Sequence, residues 1–238
     1  MTSAASTATD EAAARACMAS LIGSLADNKA ALGRRYSSWA VSAPTLESAV
    51  AAAAMAQDEL GHARSSYPLL KQLGAAETDE DAGGDRRLAL LDDDLPDWPA
   101  FVAANLVVDG MLTAFVGACE DSSFEQLAQR ARKILQEEGS HRTHAEAWTR
   151  RICRAGGAER DQLAQRVSDT WEQVARWPGP ADDAGFAAAV ATGMVACDPG
   201  ELRAQVRERV GALLTAEGLE LELTDPADWA GWDPERRR

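Results

Sequence analysis

Two of the chain's three histidines stand three residues after a glutamate, in Glu59-Leu60-Gly61-His62 and Glu138-Gly139-Ser140-His141. Residues three apart on a helix share a face, so each pair can turn a carboxylate oxygen and an imidazole nitrogen towards one point. That is a metal-ligand spacing. Oxygen and imidazole donors without a thiolate suit iron; manganese accepts the same set, and zinc remains open on donor type alone. Asp109 is the one charge inside the apolar run 99–119. Burying an unpaired carboxylate is costly, so Asp109 calls for a cation or for hydrogen-bond donors.

The elements that must position these groups follow from breakers and caps. No alternating β-branched stretch is present, and the long segments between breakers read as helices, an all-α chain. Helix one runs from Glu11 to Ala40 and stops at Val41-Ser42-Ala43-Pro44. Helix two starts at Thr45, whose hydroxyl can cap it, and reaches Leu73-Gly74, with Pro68 kinking its last turns. Residues 75–95 are acidic and carry glycines, a crossover between two halves. Helix three spans Pro99 to Cys119, and the turn Asp121-Ser122-Ser123 leads into helix four, Phe124 to Ala155, ended by Gly156-Gly157. Further helices are predicted at Glu159–Trp177, Ala184–Ala196 and Glu201–Glu217, followed by a loose polar tail from Asp225 to Arg238.

Two helical hairpins joined by one long crossover describe a ferritin-like four-helix bundle with additional C-terminal helices. The whole of 1–238 is expected to form one such domain, with its core bundle in about 11–155, further helices in about 159–220 and the tail at 225–238. Residues equidistant from the turn of an antiparallel pair lie at one depth. The midpoint of Asp27 and Glu59 falls at residue 43, in the first turn, and that of Asp109 and Glu138 falls beside Ser123, in the second. The expected ligand set is therefore Asp27, Glu59, His62, Asp109, Glu138 and His141 around two divalent ions, formally neutral as four carboxylates and two imidazoles.

Composition narrows the function. With 24 basic and 38 acidic residues the net charge is −14, which disfavours a surface built to neutralise nucleic-acid phosphates. No run of about 18 residues is both apolar and uncharged, so no membrane span is expected. Cys17, Cys119, Cys153 and Cys197 form no CxxC pair, and Met1 to Asp10 lack a basic, apolar leader, so reduced thiols in a cytoplasm are expected. Lysine occurs only at 29, 71 and 133, which reads as codon usage without chemical meaning. His144, one turn beyond His141, reads as a structural histidine. Tyr36, Trp39 and Trp148 read as core aromatics, and Arg34-Arg35 and Arg150-Arg151 as solvated surface.

The runs from Leu25 to Trp39 (LADNKAALGRRYSSW) and Asp58 to Arg64 (DELGHAR), continued through Trp98–Asp109, Lys133–Arg151 and Leu202–Leu221, resemble the phenylacetic acid catabolic family, the oxygenase subunits of the phenylacetyl-CoA epoxidase complex. That family pairs a catalytic di-iron subunit with a related structural subunit whose metal site is degraded. The overall pattern is nearer the structural type, in which the position of His62 is often not histidine. The presence of His62 with Glu59, Asp109, Glu138 and His141 favours a metal-binding relative. The resemblance implies a non-haem di-iron monooxygenase that uses O₂ to hydroxylate or epoxidise an aromatic or acyl substrate, such as a CoA thioester. Electrons would come from an external donor or reductase, and the partner would be a second copy or a related subunit. The alternative is a non-catalytic structural partner in such a complex. A ferritin-like storage cage fits less well, because the C-terminal helices would have to be accommodated in its shell.

Overall fold

The computed structural model describes residues 2–76 and 85–238. Seven α-helices and no strand are present among them. Helix α1 is Thr2–Trp39 and α2 is Leu46–Gln72; the short link between them folds the pair into an antiparallel hairpin with the most extensive interface in the molecule. Thr45 caps α2 as its spacing predicts, its hydroxyl accepting from the Ser48 amide, and Pro68 lies within the helix, which continues to Gln72. Close approach of the hairpin is permitted at Gly33, where a Cβ would sit 2.9 Å from the Ala56 carbonyl oxygen.

The crossover carries a short 3₁₀ turn at Ala89–Leu91; its residues 77–84, the most acidic part of the predicted crossover, lie outside the described residues. Helix α3 is Trp98–Ala118, capped by the Asp97 carboxylate on the Ala100 amide. By length and composition it could cross a membrane, but 83% of its most apolar stretch is buried inside the protein, so it is the core helix. It is not a regular α-helix throughout. Between Trp98–Ala103 and Gly110–Ala118, residues Ala104–Asp109 form a π-helical segment, which nothing in the sequence signals.

Helix α4, Glu125–Ala155, returns antiparallel to α3 and ends at Gly156, whose positive φ of 71° suits glycine. The four helices form the expected ferritin-like bundle. Three more cover it: α5 (Gly157–Val174) lies on α3, α6 (Ala184–Ala191) on α1, and α7 (Pro199–Ala216) on α3 and α4. Helix α6 stops five residues short of the predicted end, before Gly193, which takes a positive φ of 71°.

The tail corrects an expectation. It has no regular secondary structure, but it is tied down. The buried Arg237 side chain donates to the carbonyls of Trp177 and Pro178 and to the Ser20 hydroxyl, and Ser20 in turn donates to the Pro234 carbonyl.

Candidate functional site

Helix α2 supplies Glu59, α3 supplies Asp109, and α4 supplies Glu138 and His141. All four side chains are buried, and one ligand atom from each lies within 4.8 Å of the others. The hairpin geometry therefore brings these four of the six expected residues to one depth. Asp109 closes the π-helical segment, whose wide turns set the direction in which its carboxylate leaves α3.

The centre of the cluster is filled by a side chain that sequence reasoning passed over. Lys29 of α1 is fully buried, and its ammonium donates to Asp109 Oδ1 at 2.5 Å, to Glu59 Oε1 at 3.1 Å and to Glu138 Oε1. A signal for it was available. Leu21, Leu25, Lys29, Leu32 and Tyr36 follow one another at spacings of three and four, so Lys29 interrupts the apolar stripe that α1 turns to the core.

Asp27, the expected ligand from helix one, is not in this cluster. Its carboxylate accepts from the Tyr67 hydroxyl at 3.0 Å and from the Arg86 Nε at 3.0 Å, so it ties α1 to the far end of α2 and to the crossover. Depth along a helix does not fix direction around it. Two residues are about 200° apart around a helix axis, so Lys29 points where Asp27 does not.

His62 stands at the edge. Its Nδ1 is 3.3 Å from Glu138 Oε1, and its Nε2 pairs with Glu137 Oε2 at 2.7 Å. His141 is more central: its Nδ1 lies 3.1 Å from Asp109, 3.3 Å from Glu59 and 3.5 Å from Glu138, while Nε2 faces Asp58 at 3.4 Å. Asp58 and Glu137 were not anticipated; each directly precedes an ExxH glutamate.

These contacts set the charge states. Burial opposes the Lys29 ammonium, but the charges of Asp109, Glu138 and Glu59 outweigh it and raise its pKa well above the ordinary lysine value. Burial likewise opposes the His141 imidazolium, yet its hydrogen bonds to Asp109 and Glu59 push its pKa up to about 11. Burial would raise Asp109, but Lys29 and His141 hold it far below the usual carboxylate range. Glu59 goes the other way: burial, with Asp109 and Glu138 nearby, lifts it to about 7 despite Lys29. Glu59 is thus the carboxylate of the group brought nearest to neutrality.

Chemically, Glu59, Asp109, Glu138 and His141 could hold a metal ion. Glu59 Oε2 is buried without a hydrogen-bond partner, so this oxygen keeps a lone pair free for a cation. The place where a cation would sit is nevertheless taken by the Lys29 ammonium, and Asp27 is committed elsewhere. Of the six expected residues the structure gathers Glu59, Asp109, Glu138 and His141 at one point, with His62 at the edge and Asp27 apart.

The other singled-out residues are structural. His144 lies edge-on to Trp98 and Phe101, both at 5.9 Å between centroids, and Trp39 and Trp148 pack on the same Trp98. Neither His144 ring nitrogen has a hydrogen-bond partner; burial and the charge on His141 bring its pKa down to about 4. Arg35 donates to the carbonyls of Leu91 and Asp92, so it pins the crossover rather than facing a ligand. The four cysteines are unpaired.

Among proteins of curated function, none matches the chain. A family model described as phenylacetic acid catabolic protein matches residues 1–237. Since that match extends over nearly every residue, including all the helices that build the buried cluster, the chain belongs to the phenylacetic acid catabolic protein family.

Proposed function

We propose that this chain is a non-catalytic partner of an oxygenase assembly, in which Lys29 occupies the position where a catalytic relative would carry metal. One observation carries the reading: a single ammonium pairs with all three carboxylates of the cluster at the point where they converge. Buried carboxylates need a counter-charge, and a lysine built into the chain provides it without a bound cofactor. On this reading the bundle is a permanently assembled scaffold. Oxygen chemistry and electron uptake belong to a related subunit, and the partner is that subunit.

A second reading is the di-iron monooxygenase, favoured by both ExxH pairs and by two buried atoms without hydrogen bonds, Glu59 Oε2 and His62 Nδ1. Lys29 would then have to leave the cluster, freeing Glu59, Asp109, Glu138 and His141 to hold metal. Bound iron would supply O₂ activation, the reductant would be external, and the substrate would be aromatic or acyl.

Anaerobic reconstitution with Fe(II), followed by desalting and metal analysis, separates the two. The partner reading expects no stoichiometric iron in the wild-type chain, together with co-purification of a related subunit from the native host. Two irons per chain would overturn it.

A further inference from the structure

We propose that the cleft between α3, α4 and α7 is a binding site for a small carboxylate carrying a short apolar tail, held by Arg209 and Arg142. A cavity of about 100 Å³ lies there, on the outer side of the carboxylate cluster. Both guanidinium groups line it, Arg209 from α7 and Arg142 from α4. Neither makes an ion pair or hydrogen bond among the described residues.

An unneutralised arginine pair is unusual in a chain with net charge −14, where carboxylates are plentiful. Most of the other arginines here are paired: Arg35 with Asp94, Arg154 with Glu217, Arg166 with Asp97 and Arg207 with Asp225. Burial and the neighbouring charge of Arg142 lower the pKa of Arg209, and the charges of Asp109 and Glu146 offset this only in part, so an anion in direct contact would stabilise the guanidinium further.

The cavity is also shaped for that guanidinium. Gly110 lies beneath it, and a Cβ there would collide with Nη2 of Arg209. Thr113 and Asn105, a residue 97% buried, also line the space, and Thr113 Oγ1 and Asn105 Oδ1 have no hydrogen-bond partner. The far end of the Asn105 amide meets only the Met55 sulphur, at 3.1 Å, so a half-turn of the amide presents its NH₂ to the cavity. Asp109 and Glu138 also border the cavity; both pair with Lys29 and Asp109 with His141, while the Asp109 charge acts on Arg209 as well. Leu106, Leu135 and Ala145 complete an apolar wall. Paired guanidinium groups and hydroxyl and amide donors beside an aliphatic wall match a carboxylate with a few attached carbons.

Titration of the full-length protein with acetate, butyrate and inorganic phosphate, followed by calorimetry at constant ionic strength against chloride, tests the assignment. Saturable binding is expected, tighter for butyrate than for acetate, and weakened at least about tenfold in Arg209→Gln. Arg142→Gln, at an exposed position that does not threaten folding, should weaken it several-fold, and Gly110→Ala should do so by displacing Arg209. Absence of saturable binding, binding unchanged in Arg209→Gln and Arg142→Gln, or phosphate binding tighter than butyrate would each overturn the proposal.

Discussion

Lys29 Nζ lies 2.5 Å from Asp109 Oδ1, so the first helix of one hairpin and the first helix of the other are joined by a buried ion pair at the middle of the bundle. Glu59 and Glu138 complete the junction from α2 and α4, and all four helices meet at one ammonium. The first consequence concerns stability. Lys29→Met removes the only lysine from the group and leaves three carboxylates facing one another. Urea unfolding should show a loss of about 3–5 kcal/mol, the range for breaking a buried ion pair by removing one partner. A loss under about 1 kcal/mol would mean that the cluster is neutralised by other means.

Replacing the ammonium by a fourth carboxylate should turn the group into a cation site. Lys29→Glu is expected to be strongly destabilised in the presence of a chelator and to recover when Mn(II) or Fe(II) is added, through preferential binding to the folded state. Melting temperature with and without metal reads this directly. The wild-type protein should show no such metal-dependent shift.

Asp27 acts as an anchor. Asp27→Asn should destabilise the protein by about 1–3 kcal/mol, because Arg86 loses a charged acceptor and Tyr67 a strong one. Any metal that the protein or its Lys29→Glu variant takes up should be unaffected. A parallel loss of metal would return Asp27 to the ligand set.

His144 makes stability sensitive to acid. Its folded pKa of about 4 lies below the ordinary histidine value of 6.5, so the unfolded chain takes up a proton that the folded one refuses. Its contribution to stability is therefore intact above pH 6.5, declines as the pH falls from 6.5 to 4, and changes no further below that. His144→Phe keeps the contacts with Trp98 and Phe101 and removes the titration. Over this interval its melting temperature should fall less steeply than that of the wild type.

Gly33 sets the spacing of α1 and α2 one turn beyond Lys29. In Gly33→Ala the new methyl would press on the Ala56 carbonyl and on Leu60, at 2.9 and 2.8 Å. Overpacking of this kind costs about 1–3 kcal/mol. Thermal unfolding checks it, and an unchanged or raised melting temperature would show that the hairpin yields freely.

Much of the fold was legible because its punctuation is local. Thr45, Pro44 and Gly156 declare where helices start and stop, and the two turns fix which residues share a depth. That was enough to bring Glu59, Asp109, Glu138 and His141 together. What depth cannot supply is azimuth, and it is azimuth that separates Lys29, inside the cluster, from Asp27, outside it. Lys29 is legible as a charge within the apolar stripe of α1, a signal carried by its position and not by the scarcity of lysine. The π-helical segment has no compositional mark, since its wide turns depend on what packs around α3. The tail is held in spite of its polar composition, because one buried arginine anchors it.

The irregular turns at Ala104–Asp109 also divide α3 into two halves with different allegiances. A wide turn shifts the phase of every later residue by about 100° relative to a continuous α-helix. The Trp98–Ala103 half is thus rotated to serve α5 and the aromatic packing, while Gly110–Ala118 is rotated to serve α7 and the arginine-lined cavity. Deleting one residue between them would re-clock the second half against the first, taking Gly110 out from under Arg209 while leaving the composition of the helix nearly unchanged. In this bundle the binding cleft is tuned by the count of residues along the rod as much as by their kinds.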